Sequence, residues 1–416
     1  MNILFLHDAF PAQFGRLGLE LHQRYGWHCS YLIQNFSSCP LPTAEMLRSL
    51  EIHRYFVPPS TDGNDEGGVP WPRSYGRFVE QCRAVYDAIR QVGHLRPDLV
   101  VANGGRGAPT LFVPEATNAK ILTYCEYYFA RSRADLTYRI DLPPAEPAPF
   151  FPRVINAPTL ASLAQSVGGY SATRRQRDSF PERWRSRIEV HFDGVDVDLY
   201  RPGPRTGSIA GRSVPPDTKV VTFVARGLES MRGFDIFVKV AKRILRERKD
   251  VLFVVAGGDH TYYGWDSYHT GPGKTFREWT IETEQPDLDH FVFLGQIAPE
   301  ELADVLRRSD LHLYLTVPFV VSWSLFNALS TGLVVLGSDI DAVREVVEPG
   351  VSGLLEPLFD ADRLAERALE VLADPAAFAP LGAAARQVME ERYSVDVSIP
   401  PIRDFFERAV NMSVPD

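Results

Sequence analysis

Short apolar runs alternate with segments of helical periodicity along the whole chain, and that alternation limits the fold more than any other feature. "NILFLHD" (2–8), "HCSYLIQ" (28–34), "PDLVVAN" (97–103) and "KILTYCEYY" (120–128) have the length of buried strands. Between them, Gln13–Tyr25 places Phe14, Leu17 and Leu21 at helical spacing, and Arg77–Gly93 places Phe78, Cys82, Val85 and Ile89 on one helical face. The second half repeats the pattern more cleanly. Strands are expected at "VVTFVAR", "VLFVVAGG", "FVFLG", "LHLYLT" and "LVVLGS", and helices near 233–248, 275–284, 299–308, 323–331, 341–348, 361–373 and 379–391. Such alternation produces parallel sheets with helices on both faces. The expected fold class is α/β, with two doubly wound Rossmann-like domains facing across a cleft.

Punctuation divides the chain. Residues 59–75 and 139–152 are rich in proline and lack periodicity, so they read as a loop and a linker-like excursion. A helix near Pro158–Ser166 and "GGYSATRRQRDSF" (168–180) return to the first domain, and "IEVHFDGVDVDLYRP" (188–202) leads out of it. The composition of "RPGPRTGSIAGRSVPP" (201–216) puts the boundary there, giving a first domain of 1–202 and a second of 203–395. The segment 396–416 contains a Pro-Pro break and is expected to cross back to the first domain as a helix.

The net charge of −9 argues against nucleic acid as a partner. Cys29, Cys39, Cys82 and Cys125 are widely spaced and suit a reduced, cytoplasmic chain better than a disulfide framework or a zinc site. The amino terminus reads as a first strand rather than a leader, and no apolar run approaches the ~20 residues of a membrane span. Peripheral association with the inner face of a membrane stays open, as does the oligomeric state. No G-x-G-x-x-G follows the first strand and no P-loop motif occurs, which lowers the weight of dehydrogenases and P-loop nucleotidases. His260, His269 and His290 show no ligand spacing, so no metal is expected.

Two stretches carry chemistry. In "FVARGLESMRGFDIF" (223–237), Arg226 and Arg232 flank a strand-to-helix turn. Their planar donor sets suit a diphosphate, and the alternative is a pair of surface arginines bridged to Glu229 or Asp235. In "TVPFVVSWSLFNALSTG" (316–332), Ser322 or Ser324 can cap a helix whose first N–H groups make an anion site. One turn in, Asn327 either holds ribose hydroxyls or is a solvated helix residue.

On "VARGLESMRGFDIF", "VVAGGD", "FLGQI", "HLYLTVPFVVSWSLFNALSTG", "VVLGSD", "VREVVEPGVSGLL" and "ERYS", residues 219–395 resemble the donor domain of retaining glycosyltransferases of family 4, which have the GT-B architecture. The first half is similar to a subgroup that opens with F-P-x-Q-F, through "ILFLHDAFPAQFGRLGLEL", "TYCEYY" and "HFDGVDVDLYRP". The resemblance implies that Arg226 and Arg232 hold the diphosphate, that the helix start at Ser322, Trp323, Ser324 and Leu325 adds backbone donors, and that Gln296 and Ile297 lie against the nucleobase. It places Asn327 where the family has a ribose-binding glutamate, and Phe319 where many members have another glutamate.

For the acceptor side, the resemblance and the strand ends together select Phe10, Pro11 and Gln13 in the first loop. Phe14 reads as packing. Asn103 and Arg106 follow the strand "LVVAN", at a place where related enzymes often carry histidine. Glu126, at a strand end, either binds sugar hydroxyls or forms a structural salt bridge; with Arg226 and Arg232 it completes the expected catalytic set. The implied activity is transfer of a hexose-type sugar from a nucleotide diphosphate, UDP foremost, to a hydroxyl with retained configuration, in polysaccharide or other glycoconjugate assembly. Charge growing on the leaving diphosphate is stabilised by arginines and helix N–H groups, with no metal and no covalently bound cofactor. The acceptor would be a glycan, a lipid-linked sugar or a small hydroxyl compound. A catalytically silent nucleotide-sugar or glycan-binding partner and a GT-B UDP-sugar epimerase remain as alternatives, whereas a phosphorylase-like reading lacks the lysine motif for a pyridoxal cofactor.

Overall fold

The computed structural model describes residues 1–37, 42–57, 71–103, 109–130, 138–143, 151–205, 207–209 and 211–414, without the side chains of 71–75 and 151. They form two compact units, one of Met1–Arg131, Glu146–Gly194 and Ser398–Asp416, the other of Ser132–Ala145 and Val195–Val397. Among the described residues no single helix is long and apolar enough to cross a membrane.

The first unit is built on a parallel sheet of seven strands: β1 (Asn2–Leu6), β2 (His28–Ile33), β3 (Glu51–Arg54), β4 (Leu99–Asn103), β5 (Lys120–Tyr124), β6 (Gly168–Ser171) and β7 (Ile188–Val190). Their spatial order is β3-β2-β1-β4-β5-β6-β7, with Ile3 paired to both Cys29 and Leu99. The strands are apolar on both faces because helices cover both. Helix α1 (Gly15–Tyr25) buries Leu17 and Leu21 and ends at Gly26, whose φ of 66° supplies the left-handed cap. Helix α2 (Trp71–Gln91) drives Val85, Ala88 and Ile89 into a cluster with Leu4, Leu6, Leu32, Val100 and Ile121. Each such aliphatic side chain removed from water contributes roughly 1.5–3 kcal/mol.

The second unit holds a six-stranded parallel sheet, β8 (Lys219–Gly227), β9 (Val251–Gly258), β10 (Phe291–Gly295), β11 (Leu311–Tyr314), β12 (Val335–Ser338) and β13 (Leu354–Glu356), in the order β10-β9-β8-β11-β12-β13. Chain order therefore reverses between β8 and β11 here, and between β1 and β4 in the first unit. Helix α4 (Phe234–Glu247; α3 is Phe151–Ala164) packs Phe234 and Phe237 against Phe223 of β8. The stretch 138–143, without periodicity in sequence, is anchored to this unit: buried Arg139 forks onto Asp235 at 2.7 and 3.0 Å and donates to the Ser230 carbonyl at 2.7 Å. Losing one partner of such a buried pair costs about 3–5 kcal/mol.

Several boundaries differ from the sequence expectation. The Pro-Pro at 400–401 does not break the last helix, which runs from Val395 to Ala409 with both prolines inside it. Phe405 and Phe406 of this helix lie against Tyr170 and His191, so packing offsets the lost backbone bonds. Pro158 likewise sits inside α3, which starts seven residues before it. The helix expected at 341–348 is only Asp341–Arg344. The edge strands β3 and β13 differ from the expectation because each is short, β3 being mostly polar itself and β13 lying between Gly353 and Pro357.

At the end of the first unit, Asp193 is 4% exposed, receives a hydrogen bond from the Gln13 amide, and leaves its Oδ1 buried without a partner among the described residues. Burial pushes its carboxyl from 3.8 up to about 8, against the smaller opposing pull of its hydrogen bonds. The folded chain thus holds this proton more tightly than the unfolded chain does. The associated stability is complete below about pH 4 and is lost as pH rises through about 8. Asp193→Asn keeps the shape and cannot ionise. It is expected to flatten the fall in melting temperature between pH 5 and 9, a difference of a few kcal/mol at the alkaline end; parallel pH–Tm curves for the two proteins would contradict this assignment.

Candidate functional site

In open parallel sheets ligands bind beyond the carboxyl ends of strands where chain order reverses. In the second unit that point is the junction of β8 and β11. Arg226 is the penultimate residue of β8, exposed, with its guanidinium carbon 3.7 Å from the ring centre of Tyr262 and 5.5 Å from that of Tyr263. Arg232 lies in the 3-10 turn Ser230–Arg232 and is 8% exposed. Its Nη1 donates to Thr316 Oγ1 at 3.2 Å and to the Val320 carbonyl at 2.9 Å. Thr316 Oγ1 and the Val317 N–H in turn donate to the Met231 carbonyl at 3.2 and 3.1 Å, tying the segment after β11 to the turn after β8.

Neither guanidinium lies within salt-bridge distance of a carboxylate among the described residues, so the surface-pair alternative does not apply. Asp235 is taken by Arg139 and Lys239. Glu229 accepts instead from the backbone N–H groups of Tyr262 and Tyr263, the latter at 2.9 Å. Burial pushes its carboxyl up to about 7; Arg232 and those two N–H groups pull the other way. Glu229 therefore fixes the aromatic loop that carries the stacking partners of Arg226. Gly227 makes the crossing feasible, since a Cβ there would stand 2.1 Å from the His260 carbonyl oxygen. Desolvating a guanidinium costs several kcal/mol that neutral partners offset only in part. Among the described residues the Arg232 guanidinium donates to a hydroxyl and a carbonyl and to no carboxylate.

Helix α5 (Trp323–Ser330) follows, starting at Ser322 with extended backbone. The Ser322 hydroxyl does not cap the helix; it pairs with Ser324 Oγ at 2.6 Å. Of the four N–H groups read as donors, that of Ser322 is bound to Tyr314 Oη (2.8 Å) and that of Leu325 to the Ser322 carbonyl (3.1 Å). Those of Trp323 and Ser324 have no partner among the described residues, and they carry the positive end of the helix dipole. Asn327, one turn on, is half-buried and its carboxamide makes no hydrogen bond among the described residues. Phe319 is buried against Tyr263 at 4.8 Å. Gln296 follows β10, its amide beside Gly258 at the end of β9. Ile297 packs against the cluster of Ile209, Val220, Leu252 and Val305.

In the first unit the reversal point is held by His7 and Asn103. Asn103 is buried with its Nδ2 3.2 Å from His7 Nε2, while His7 Nδ1 lies 2.6 Å from Asp8 Oδ1. An imidazole thus stands next to Asn103, supplied by β1 rather than by the strand that carries the asparagine. Phe10 is fully buried against Tyr31, so its ring packs the unit instead of lining an open surface; Pro11 is buried too. Phe14 packs as expected against Phe5 and His7. Gln13 is engaged by Asp193. Glu126 is half-buried just after β5, with its carbonyl accepting from Gln176 at 2.9 Å. Arg106 lies outside the described residues. Sequence reasoning missed His7, Glu229 and the pairing of Arg226 with Tyr262. His7 could have been found as the polar residue closing the first apolar run, whereas the other two depend on a loop that returns from β9.

Residues 40–200 match the Glycosyl transferase family 4 group, and residues 208–388 match the Glycosyl transferases group 1. The chain is 30% identical over 199 residues to the D-inositol 3-phosphate glycosyltransferase of Mycolicibacterium smegmatis, covering 46% of this chain and 42% of the relative. The corresponding protein of Gordonia bronchialis is 28% identical over 235 residues, 54% of this chain and 48% of the relative. The matched stretches thus span less than half the length of these relatives. Among solved structures, sucrose-phosphate synthase from Thermosynechococcus elongatus superimposes over 98% of both chains with a TM-score of 0.72 at 16% identity. Anabaena HepE in complex with UDP-glucose does so over 98% of this chain and 99% of its own, with a TM-score of 0.68 at 14% identity. A family 4 region is thus followed by a group 1 region, each over less than half of the chain, and the fold over nearly the whole length is the one these GT-B structures share.

Proposed function

We propose that the chain is a retaining glycosyltransferase that moves a hexose-type sugar from a nucleoside diphosphate, UDP foremost, to a hydroxyl. The observation that carries this reading is the buried guanidinium of Arg232, whose hydrogen-bond partners among the described residues, Thr316 and Val320, are neutral and lie at the reversal point of the second sheet. Arg226 and the N–H groups of Trp323 and Ser324, which have no partner among the described residues, add to the same positive field. In the proposed reaction the bond from the anomeric carbon to the diphosphate oxygen breaks, and the bond to the acceptor oxygen forms on the same face. The acceptor's proton passes to the departing diphosphate, so no side-chain nucleophile is obligatory. The protein's task is to stabilise charge growing on the leaving group, which these donors do without a metal. Gln296 and Ile297 are assigned to the base and Asn327 to the ribose. Glu126 and the His7–Asn103 pair are assigned to hydroxyls. The names of the relatives, which act on an inositol phosphate, and the UDP-glucose held by HepE support a sugar nucleotide and a polyol or glycan acceptor.

One observation favours a second reading, a silent nucleotide-sugar binder: Asn327 offers a neutral amide where the family has a carboxylate. Incubation with UDP-, GDP- and ADP-sugars, with and without inositol phosphates or crude glycans, separates the two. Slow release of one free nucleotide, accelerated by an acceptor and unaffected by EDTA, is expected; tight binding without release across the panel selects the silent binder.

Arg226→Ala and Arg232→Ala are each expected to weaken UDP binding by roughly 10–100-fold, the weight of a charge-assisted hydrogen bond. Calorimetry showing unchanged affinity would remove the diphosphate assignment. Asn327→Glu reports on the ribose contact. If Asn327 is a weakened substitute for glutamate, the variant binds UDP about 5–10-fold tighter, the weight of a neutral-to-charged exchange; if the site is built around the amide, affinity falls.

A further inference from the structure

The amino-terminal ends of the first sheet carry a second cluster, away from the carboxyl ends where His7 and Asn103 stand. Glu51 opens the edge strand β3, and His53, two residues on, shares its face. His28 opens the neighbouring β2, and His94 sits in the turn Gly93–Leu95 that precedes β4. The Nε2 atoms of His53 and His94 lie 2.8 and 3.6 Å from Glu51 Oε1, and that of His28 lies 2.9 Å from Glu51 Oε2. We propose that Glu51, His53 and His94, with His28 as the fourth donor, form a binding site for a divalent transition-metal ion of the zinc class.

Three imidazoles around one carboxylate exceed what ion pairing needs, since one negative charge balances one imidazolium. Neutral imidazole nitrogens with a single carboxylate are a ligand set for zinc and its neighbours, whereas magnesium and calcium select oxygen. The donor atoms of Glu51, His53 and His94 all lie within 4.8 Å of one another. Tetrahedral zinc, with bonds of about 2.0–2.1 Å, separates its ligands by roughly 3.4 Å, so shifts of about 1 Å complete the site. The cluster is open to solvent, with the His94 side chain 67% exposed, so an ion can enter. Bound there, it clips the edge strand to its neighbour and to the turn before β4. This role is structural and separate from the sugar transfer proposed above.

The test uses the full chain without an affinity tag, stripped with a chelator and titrated with zinc chloride by calorimetry and thermal melting. One ion per chain at micromolar affinity or tighter is expected, with a raised Tm and no rise with magnesium or calcium. Glu51→Gln and His53→Ala should each weaken zinc binding about 10–100-fold. His94→Ala, at the most exposed member, gives the same readout if either of the others fails to fold. Absence of saturable zinc binding, or equal affinity in wild type and variants, overturns the proposal and leaves the cluster as ion pairs. Neither result bears on nucleotide binding, which is measured independently.

Discussion

A parallel sheet brings every strand to the same edge, and where chain order reverses, the connections after two adjacent strands leave in opposite directions. The resulting gap cannot be closed by backbone pairing. In the second unit it opens after β8 and β11, and Arg232 stands beside it in the short turn that Glu229 precedes. Its hydrogen bonds to Thr316 and Val320 hold the guanidinium in place without neutralising it. The arrangement of that unit's strand ends follows from this retained charge. Glu229 holds the aromatic loop, Asp235 holds Arg139, and at the start of α5 two amides have no partner among the described residues.

Residues 316–332 contain no carboxylate. Acids are present nearby, but each is committed to scaffolding. Glu229 binds backbone, and Asp266 accepts from the Ser230 N–H at 3.0 Å, with burial raising its pKa. Glu229 thus binds backbone amides, and Asp235 is paired with Arg139 and Lys239, so neither forms an ion pair with Arg226 or Arg232 among the described residues. Preorganisation of that kind is what stabilisation of a departing anion requires.

The first unit uses the same topology with different chemistry. Its reversal point carries a half-buried imidazole against a buried amide, and the acid close to its other sheet elements, Asp193, is held largely protonated by burial. A protonated carboxyl beside Gln13 acts as a neutral hydrogen-bonding group. The strand ends of the second unit thus carry two guanidinium groups, and those of the first carry an imidazole, an amide and the Asp8 carboxylate.

The sequence alone determined the two parallel sheets, the helices that cover them and the selection of Arg226, Arg232 and the 322–327 stretch. These depend on periodicity and on residues next to a strand end, which are local properties of a chain. Tertiary structure decided which N–H groups of that stretch remain free, that Phe10 is buried, that His7 meets Asn103, and that residues 138–143 dock through Arg139. It also decided that Glu51, His28, His53 and His94 converge. Each of these joins residues from separate strands and loops, and only the register of the sheet and the return path of a loop bring such residues within bonding distance.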